Sequence, residues 1–188
     1  PCSGCLAGKM RKKRSPTPAD FTDLFQRWQI MRPLSRAAGT AERTTNQNSL
    51  VSADWGIVSA GGQPASREGN RVFALYLDCA IGVVFVKCAK SRGDAGLTLQ
   101  AYIQAWGQPD TLIHDNAQEY KHGTFADICR ERGIKQTYSA PCAPNFNPVE
   151  RYMGIITDGA RSLLFISGLD PTLFWCDAIE HRTQLQLC

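Results

Sequence analysis

Nowhere in this chain of 188 residues do apolar side chains run on for the roughly 18 positions that a membrane-spanning helix needs, and no signal peptide is expected. A helical membrane protein is not expected. A disulfide framework is missing as well: Cys2, Cys5, Cys79, Cys88, Cys129, Cys142, Cys176 and Cys188 follow no regular spacing, and Cys79, Cys88, Cys129 and Cys176 sit inside apolar strand or helix patterns. Such cysteines read as reduced, buried and intracellular. Acidic residues are absent from the first fourteen positions, where Lys9, Arg11, Lys12, Lys13 and Arg14 stand, while the rest of the chain carries 16 basic against 17 acidic side chains. A basic core is therefore excluded, and nucleic-acid binding has to be argued from the N-terminal run and from local geometry.

What is present is an ordinary globular balance, 43% apolar and 20% charged, in a length that buries one substantial core with a short appendage. Residues 1–14 are a Cys2-Ser3-Gly4-Cys5 knuckle and the basic run. Residues 15–50 read as a linker holding one amphipathic helix: Thr17 and Pro18 fit its cap and first turn, and Phe21, Leu24, Phe25, Trp28 and Met31 recur at helical spacing. The compact domain spans 51–188. Alternating or continuous β-rich runs predict strands at about 51 to 58, 71 to 78, 82 to 88, 111 to 114 and 134 to 138, and helical patterns predict helices near 94 to 106, 122 to 132, 148 to 166 and 171 to 187. Three strands followed by alternating helix and strand make an α/β sheet of mixed direction. With Pro1 at its start and Cys188 closing an unfinished amphipathic segment, the sequence reads as a piece of a longer polypeptide.

Three carboxylates stand where a phosphoryl-transfer site would need them. They are Asp54 in Val51-Ser52-Ala53-Asp54-Trp55-Gly56, Asp115 in Leu112-Ile113-His114-Asp115-Asn116, and Glu150 in Asn147-Pro148-Val149-Glu150-Arg151. Hard oxygen donors suit Mg²⁺ or Mn²⁺, and two such ions about 4 Å apart clamp the attacking and leaving oxygens of a phosphodiester. Asp54 would be mid-strand among apolar neighbours, where an unpaired acid is costly. Asp115 would sit at the carboxyl end of the fourth strand, where open α/β sheets place ligands. Each acid also has a plainer explanation: Glu150 as the third residue of a capping box begun by Asn147, and Asp115-Asn116 as a turn. On the helix after the Pro-rich loop (Pro141, Pro144), Val149, Tyr152, Ile156 and Leu163 form an apolar stripe, leaving Glu150, Gly154, Thr157 and Arg161 on another face. His114 and His122 flank the second aspartate, but a Mg²⁺ site does not require imidazole.

From Asp54 to Ala178 the chain resembles the catalytic core of retroviral-type integrases, and among these the integrases of copia-type LTR retrotransposons. The resemblance rests on Ser52-Ala53-Asp54-Trp55-Gly56, Gly69-Asn70-Arg71-Val72-Phe73, Leu77-Asp78 and His114-Asp115-Asn116-Ala117-Gln118-Glu119-Tyr120. It continues through Gly133-Ile134-Lys135-Gln136-Thr137-Tyr138-Ser139-Ala140-Pro141, Asn147-Pro148-Val149-Glu150-Arg151, Ala160-Arg161-Ser162-Leu163-Leu164 and Phe174-Trp175. It implies an RNase H-like, five-stranded mixed sheet of order 3-2-1-4-5 with helices on both faces. It also implies a catalytic and metal triad of Asp54, Asp115 and Glu150 holding two Mg²⁺ or Mn²⁺ ions, with Asp78 outside it, and a reaction that processes 3′ ends of element DNA and joins them to target DNA. Cys2 and Cys5 match the cysteine half of the family's zinc module, whose histidines would lie upstream; two thiolates do not fill a tetrahedral Zn²⁺ site. Expected DNA contacts are Lys9, Arg11, Lys12, Lys13, Arg14, Asn116, Asn147, Arg151 and Arg161, although the basic run also reads as a solvated linker. The expected partners are DNA and further copies of the chain, in the nucleus and in a cytoplasmic virus-like particle.

Several positions depart from the family pattern. Asp115 and Glu150 are one residue closer than usual, Pro148 replaces a common glycine, Ser52 replaces a familiar histidine, and the helix and linker at 17 to 50 are longer. Two other functions stay open beside the integrase reading: a catalytically silent or domesticated core acting in dimerisation or DNA binding, and an RNase H-fold nuclease that cuts without joining.

Overall fold

The computed structural model describes residues 46–58, 65–138 and 148–187. The Cys2–Cys5 knuckle, the basic run, the helix expected after Thr17, the loop at 60 to 64 and the Pro-rich loop with Asn147 lie outside the described residues.

Strands β1 (Val51–Ile57), β2 (Val72–Asp78) and β3 (Val84–Ala89) form an antiparallel meander. A single 3₁₀ turn (Arg92–Asp94) leads into α1 (Ala95–Trp106), β4 (Thr111–His114), the one-turn α2 (Gln118–Lys121), α3 (Gly123–Arg132) and β5 (Lys135–Tyr138). Two long helices follow, α4 (Pro148–Ser167) and α5 (Pro171–Leu187). The sheet order is β3-β2-β1-β4-β5, with β4 parallel to both β1 and β5. This is the five-stranded mixed sheet that the sequence predicts. One element is additional: α2 precedes the helix expected near 122, and the break between them falls at His122, whose backbone is extended, before Gly123 at φ 69°.

Strand β2 shows why helices cover both faces. Its side chains alternate, so Val72, Ala74 and Tyr76 join a core with Leu99 and Tyr102 of α1 and Phe125 and Ile128 of α3. Phe73, Leu75 and Leu77 join a second core with Val149, Tyr152 and Ile156 of α4 and Trp175 and Ile179 of α5. Each fully buried side chain of this size contributes about 1.5–3 kcal/mol. The buried stripe on α4 ends at Ala160 and Leu164, and Leu163 is half-buried. Among the described residues no helix is long and apolar enough to cross a membrane.

Two buried details fix the frame around β1. Asp78, 2% exposed, accepts N–H groups from Asn48 (2.8 Å), Ala80 (2.8 Å) and Ile81 (3.3 Å), tying the β2–β3 turn to the start of β1. Asn48 itself sits at φ 62°, a left-handed conformation that asparagine tolerates, and its amide reaches the Trp106 carbonyl and the Tyr102 hydroxyl. Gly56 is opposite Phe73 across the β1–β2 pair, and a Cβ there would run into the Phe73 ring. Gly56→Ala should therefore destabilise the fold by about 1–3 kcal/mol in urea unfolding. An unchanged midpoint would mean that the ring moves aside without cost.

Candidate active site

Strands β1 and β4 are adjacent and parallel, with Val51 opposite Leu112 and Ser52 opposite Ile113. Carried two residues further, this register brings Asp54 level with Asp115, the residue that follows β4. Val51, Ala53 and Trp55 point into the core under α1 and α3, so alternation turns Asp54 toward the opposite face. That face is covered by α4, which packs against β1 and β2 and carries Glu150 in its first turn. A strand interior, a strand end and a helix start thus supply the three predicted acids.

Their electrostatics agree with this placement. Burial pushes the Asp54 carboxyl up to about 6; the charges of Asp115 and Glu150 push the same way, against the Trp55 N–H, which donates to Oδ1 at 2.7 Å, and the more distant Arg92. Asp115 is exposed, and its Oδ1 accepts the Ala117 N–H at 3.2 Å in a local turn. Glu150 is exposed too. Among the described residues, the three acids do not bring their oxygens all within 4.8 Å of one another. A two-ion site does not demand that, because ligands on different ions are separated by the spacing of the ions, about 4 Å, plus the ligand bonds. As a donor set, three carboxylates fit Mg²⁺ or Mn²⁺ in charge and hardness.

Other predicted residues take varied places. Asn116 is exposed beside Asp115, Arg151 is exposed next to Glu150, and Arg161 is exposed about three turns further along α4, 3.7 Å from Asp158. Cys2, Cys5, Lys9, Arg11, Lys12, Lys13, Arg14 and Asn147 lie outside the described residues. His114 is a core residue: fully buried, it holds Nδ1 2.8 Å from the Asp115 carbonyl and Nε2 3.1 Å from the Gln136 amide, packed by Tyr120, Phe125 and Tyr138. Its contribution is to hold the backbone at Asp115. Sequence reasoning missed Arg92, which acts on Asp54 and pairs with Glu119 at 3.3 Å. Its only local signal is the turn around it, where the Ser91 N–H donates to Asp94 at 3.0 Å before α1.

The fold recurs in known structures. A chain of the simian T-cell lymphotropic virus intasome in complex with PP2A regulatory subunit B56 gamma matches 90% of this chain at 18% identity and a TM-score of 0.63. The HTLV-2 integrase catalytic core domain in complex with magnesium matches 72% at 21% identity and TM-score 0.55 in its dimeric form, and 72% at 23% and 0.54 in its trimeric form. The fold is RNase H-like. The matched regions span 60% of the intasome chain and 83% and 82% of the two HTLV-2 chains. Neither a protein-family model nor a curated protein matches the sequence.

Proposed function

We propose that this chain is the catalytic core of a DNA integrase, a divalent-metal-dependent polynucleotidyl transferase. It would trim 3′ ends of retroelement DNA and join them to target DNA. The observation that carries the reading is that Asp54 in the middle of β1 feels the charges of Asp115, just after β4, and of Glu150, in the first turn of α4, in a fold shared with an integrase core solved with magnesium. Mg²⁺ or Mn²⁺ held by these three residues would neutralise charge on the phosphodiester and activate the attacking oxygen. The chain's own residues hold the reactants: Asp54 and Asp115 face one another across β1 and β4, and Glu150 closes the site from α4. Asn116, Arg151, Arg161, Asn147 and the Lys9–Arg14 run would hold DNA phosphates. Held in line, a 3′-hydroxyl also gains rate from proximity.

The copia-type origin suggested by the sequence belongs to the same proposal. So do a dimer or higher assembly on DNA, nuclear action after passage through a virus-like particle, and Zn²⁺ held by Cys2 and Cys5 only together with upstream histidines. The test is joining of a labelled duplex by the intact protein with Mg²⁺ or Mn²⁺. Shortened 3′ ends together with joined products are expected. Cutting without joining would indicate a nuclease, and bound DNA without either product a silent core.

A further inference from the structure

A second cluster of metal-ligating side chains lies on the far side of the sheet from α1, between β3 and α5. We propose that Cys88, Cys176 and Glu180 form a binding site for a soft divalent cation of the Zn²⁺ class, which ties the C-terminal helix to the edge strand. Cys88 comes from β3, while Cys176 and Glu180 are four residues apart on α5 and so share one helix face. The two sulfurs and a carboxylate oxygen all lie within 4.8 Å of one another. Ligands around a tetrahedral Zn²⁺, with bonds of about 2.3 Å to sulfur and about 2.1 Å to oxygen, are separated by roughly 3.5–3.8 Å. The cluster thus has to tighten by at most about an ångström to close on an ion.

The surroundings are built for thiolate. Both cysteines are free and buried. The Cys176 sulfur receives the Asn70 amide N–H at 3.3 Å, and the Ser66 hydroxyl and the Cys88 thiol also donate to it. Asn70 and Ser66 are themselves buried. Three donors on one sulfur hold the Cys176 thiol below its usual range, while Cys88, which keeps the shared proton, is pushed up. The Cys88 backbone N–H donates to the Glu180 carboxylate, which orients that group toward the pair. A cation would take the place of the shared proton, which leaves to solvent with any proton still on Cys176, and two thiolates and one carboxylate then face the ion. Glu180 also lines an open groove with Lys87, Thr183 and Gln184, a path in from solvent. Sulfur donors separate this site in ion preference from the all-oxygen set of Asp54, Asp115 and Glu150.

The test uses the full reduced chain carrying Cys2→Ser and Cys5→Ser, so that the N-terminal thiols contribute nothing. Titrated with Co²⁺, it should show a thiolate-to-metal charge-transfer band saturating at one equivalent and displaced by Zn²⁺, and Zn²⁺ should raise Tm. Adding Cys88→Ser or Cys176→Ser should abolish the band. Glu180→Gln, chosen because it alters no core packing, should weaken binding about tenfold or more with the circular dichroism unchanged. Asp115→Asn should leave the band intact, so the result does not depend on the catalytic reading. Absence of the band, a band that survives Cys88→Ser and Cys176→Ser, or closure of a Cys88–Cys176 disulfide in the presence of excess Zn²⁺ would overturn the proposal.

Discussion

Asp115→Asn is expected to reduce strand joining about a thousandfold or more and to remove Mn²⁺ binding, while leaving the metal-free fold as stable as before or slightly more so. The loss follows from removing one of three charged ligands of a site that supplies several kcal/mol of transition-state stabilisation, at 1.36 kcal/mol per tenfold. The unchanged fold follows from the surroundings of Asp115: it is exposed, the bond from the Ala117 N–H to its carboxylate is kept by an asparagine carbonyl, and the bond between His114 and its backbone carbonyl is untouched. Asp78→Asn should show the opposite pattern. That carboxylate is buried beneath three backbone N–H donors, so halving its acceptor capacity should cost about 1–3 kcal/mol of stability, with metal binding intact. Chemical denaturation, calorimetric Mn²⁺ titration and a joining assay on both variants separate the two roles.

The second expectation concerns pH. Asp54 is shifted from the ordinary 3.8 to about 6, so the folded state binds its proton more tightly than the unfolded state does. The sign is opposite to that of a salt-bridged acid: in the absence of divalent cation, the Asp54 contribution to stability falls as pH rises from about 4 to about 6 and then levels off. Asp54→Asn cannot ionise and keeps an oxygen for the Trp55 N–H. It should therefore match wild type near pH 4 and exceed it above pH 6 by about 1–2 kcal/mol, the two-unit shift having been discounted for partial exposure. Mn²⁺ should reverse the order, stabilising wild type by about 2.7 kcal/mol at a hundredfold excess over Kd and leaving Asp54→Asn unmoved. Thermal melts from pH 4 to 8, with and without Mn²⁺, would register both effects.

Much of this fold can be read from local pattern because its strands are unambiguous. β2 is buried throughout, six apolar residues closed by Asp78, and its alternation divides the two cores. α1 is bounded by a reciprocal Ser91–Asp94 turn and by Gly107, and α3 ends on Gly133 in the left-handed conformation, so both helices carry their own stop signals. β5 is harder to read: Lys135–Tyr138 is a mostly exposed edge strand, signalled by Ile134 and the β-formers Thr137 and Tyr138. The strand order came with the family resemblance, since periodicity does not say which strands are neighbours.

The site was legible to a different degree. Asp54 is conspicuous in sequence because an acid within an apolar strand needs a reason. Arg92 and the Cys88–Cys176–Glu180 cluster were not, because they depend on contacts between residues far apart along the chain, and no spacing rule connects β3 with α5. Asp78 and Asp54 look alike as strand acids, yet among the described residues three backbone N–H groups occupy the first, and one, the Trp55 N–H, is given to the second.

The central claim is that Asp54, Asp115 and Glu150 act as one divalent-cation site. Calorimetric titration of Mn²⁺ into the metal-free wild-type chain and into Asp115→Asn, at neutral pH and up to millimolar concentration, tests it most directly. The account predicts saturable binding by wild type and none by the variant. No binding by wild type, or equal binding by both, would contradict it.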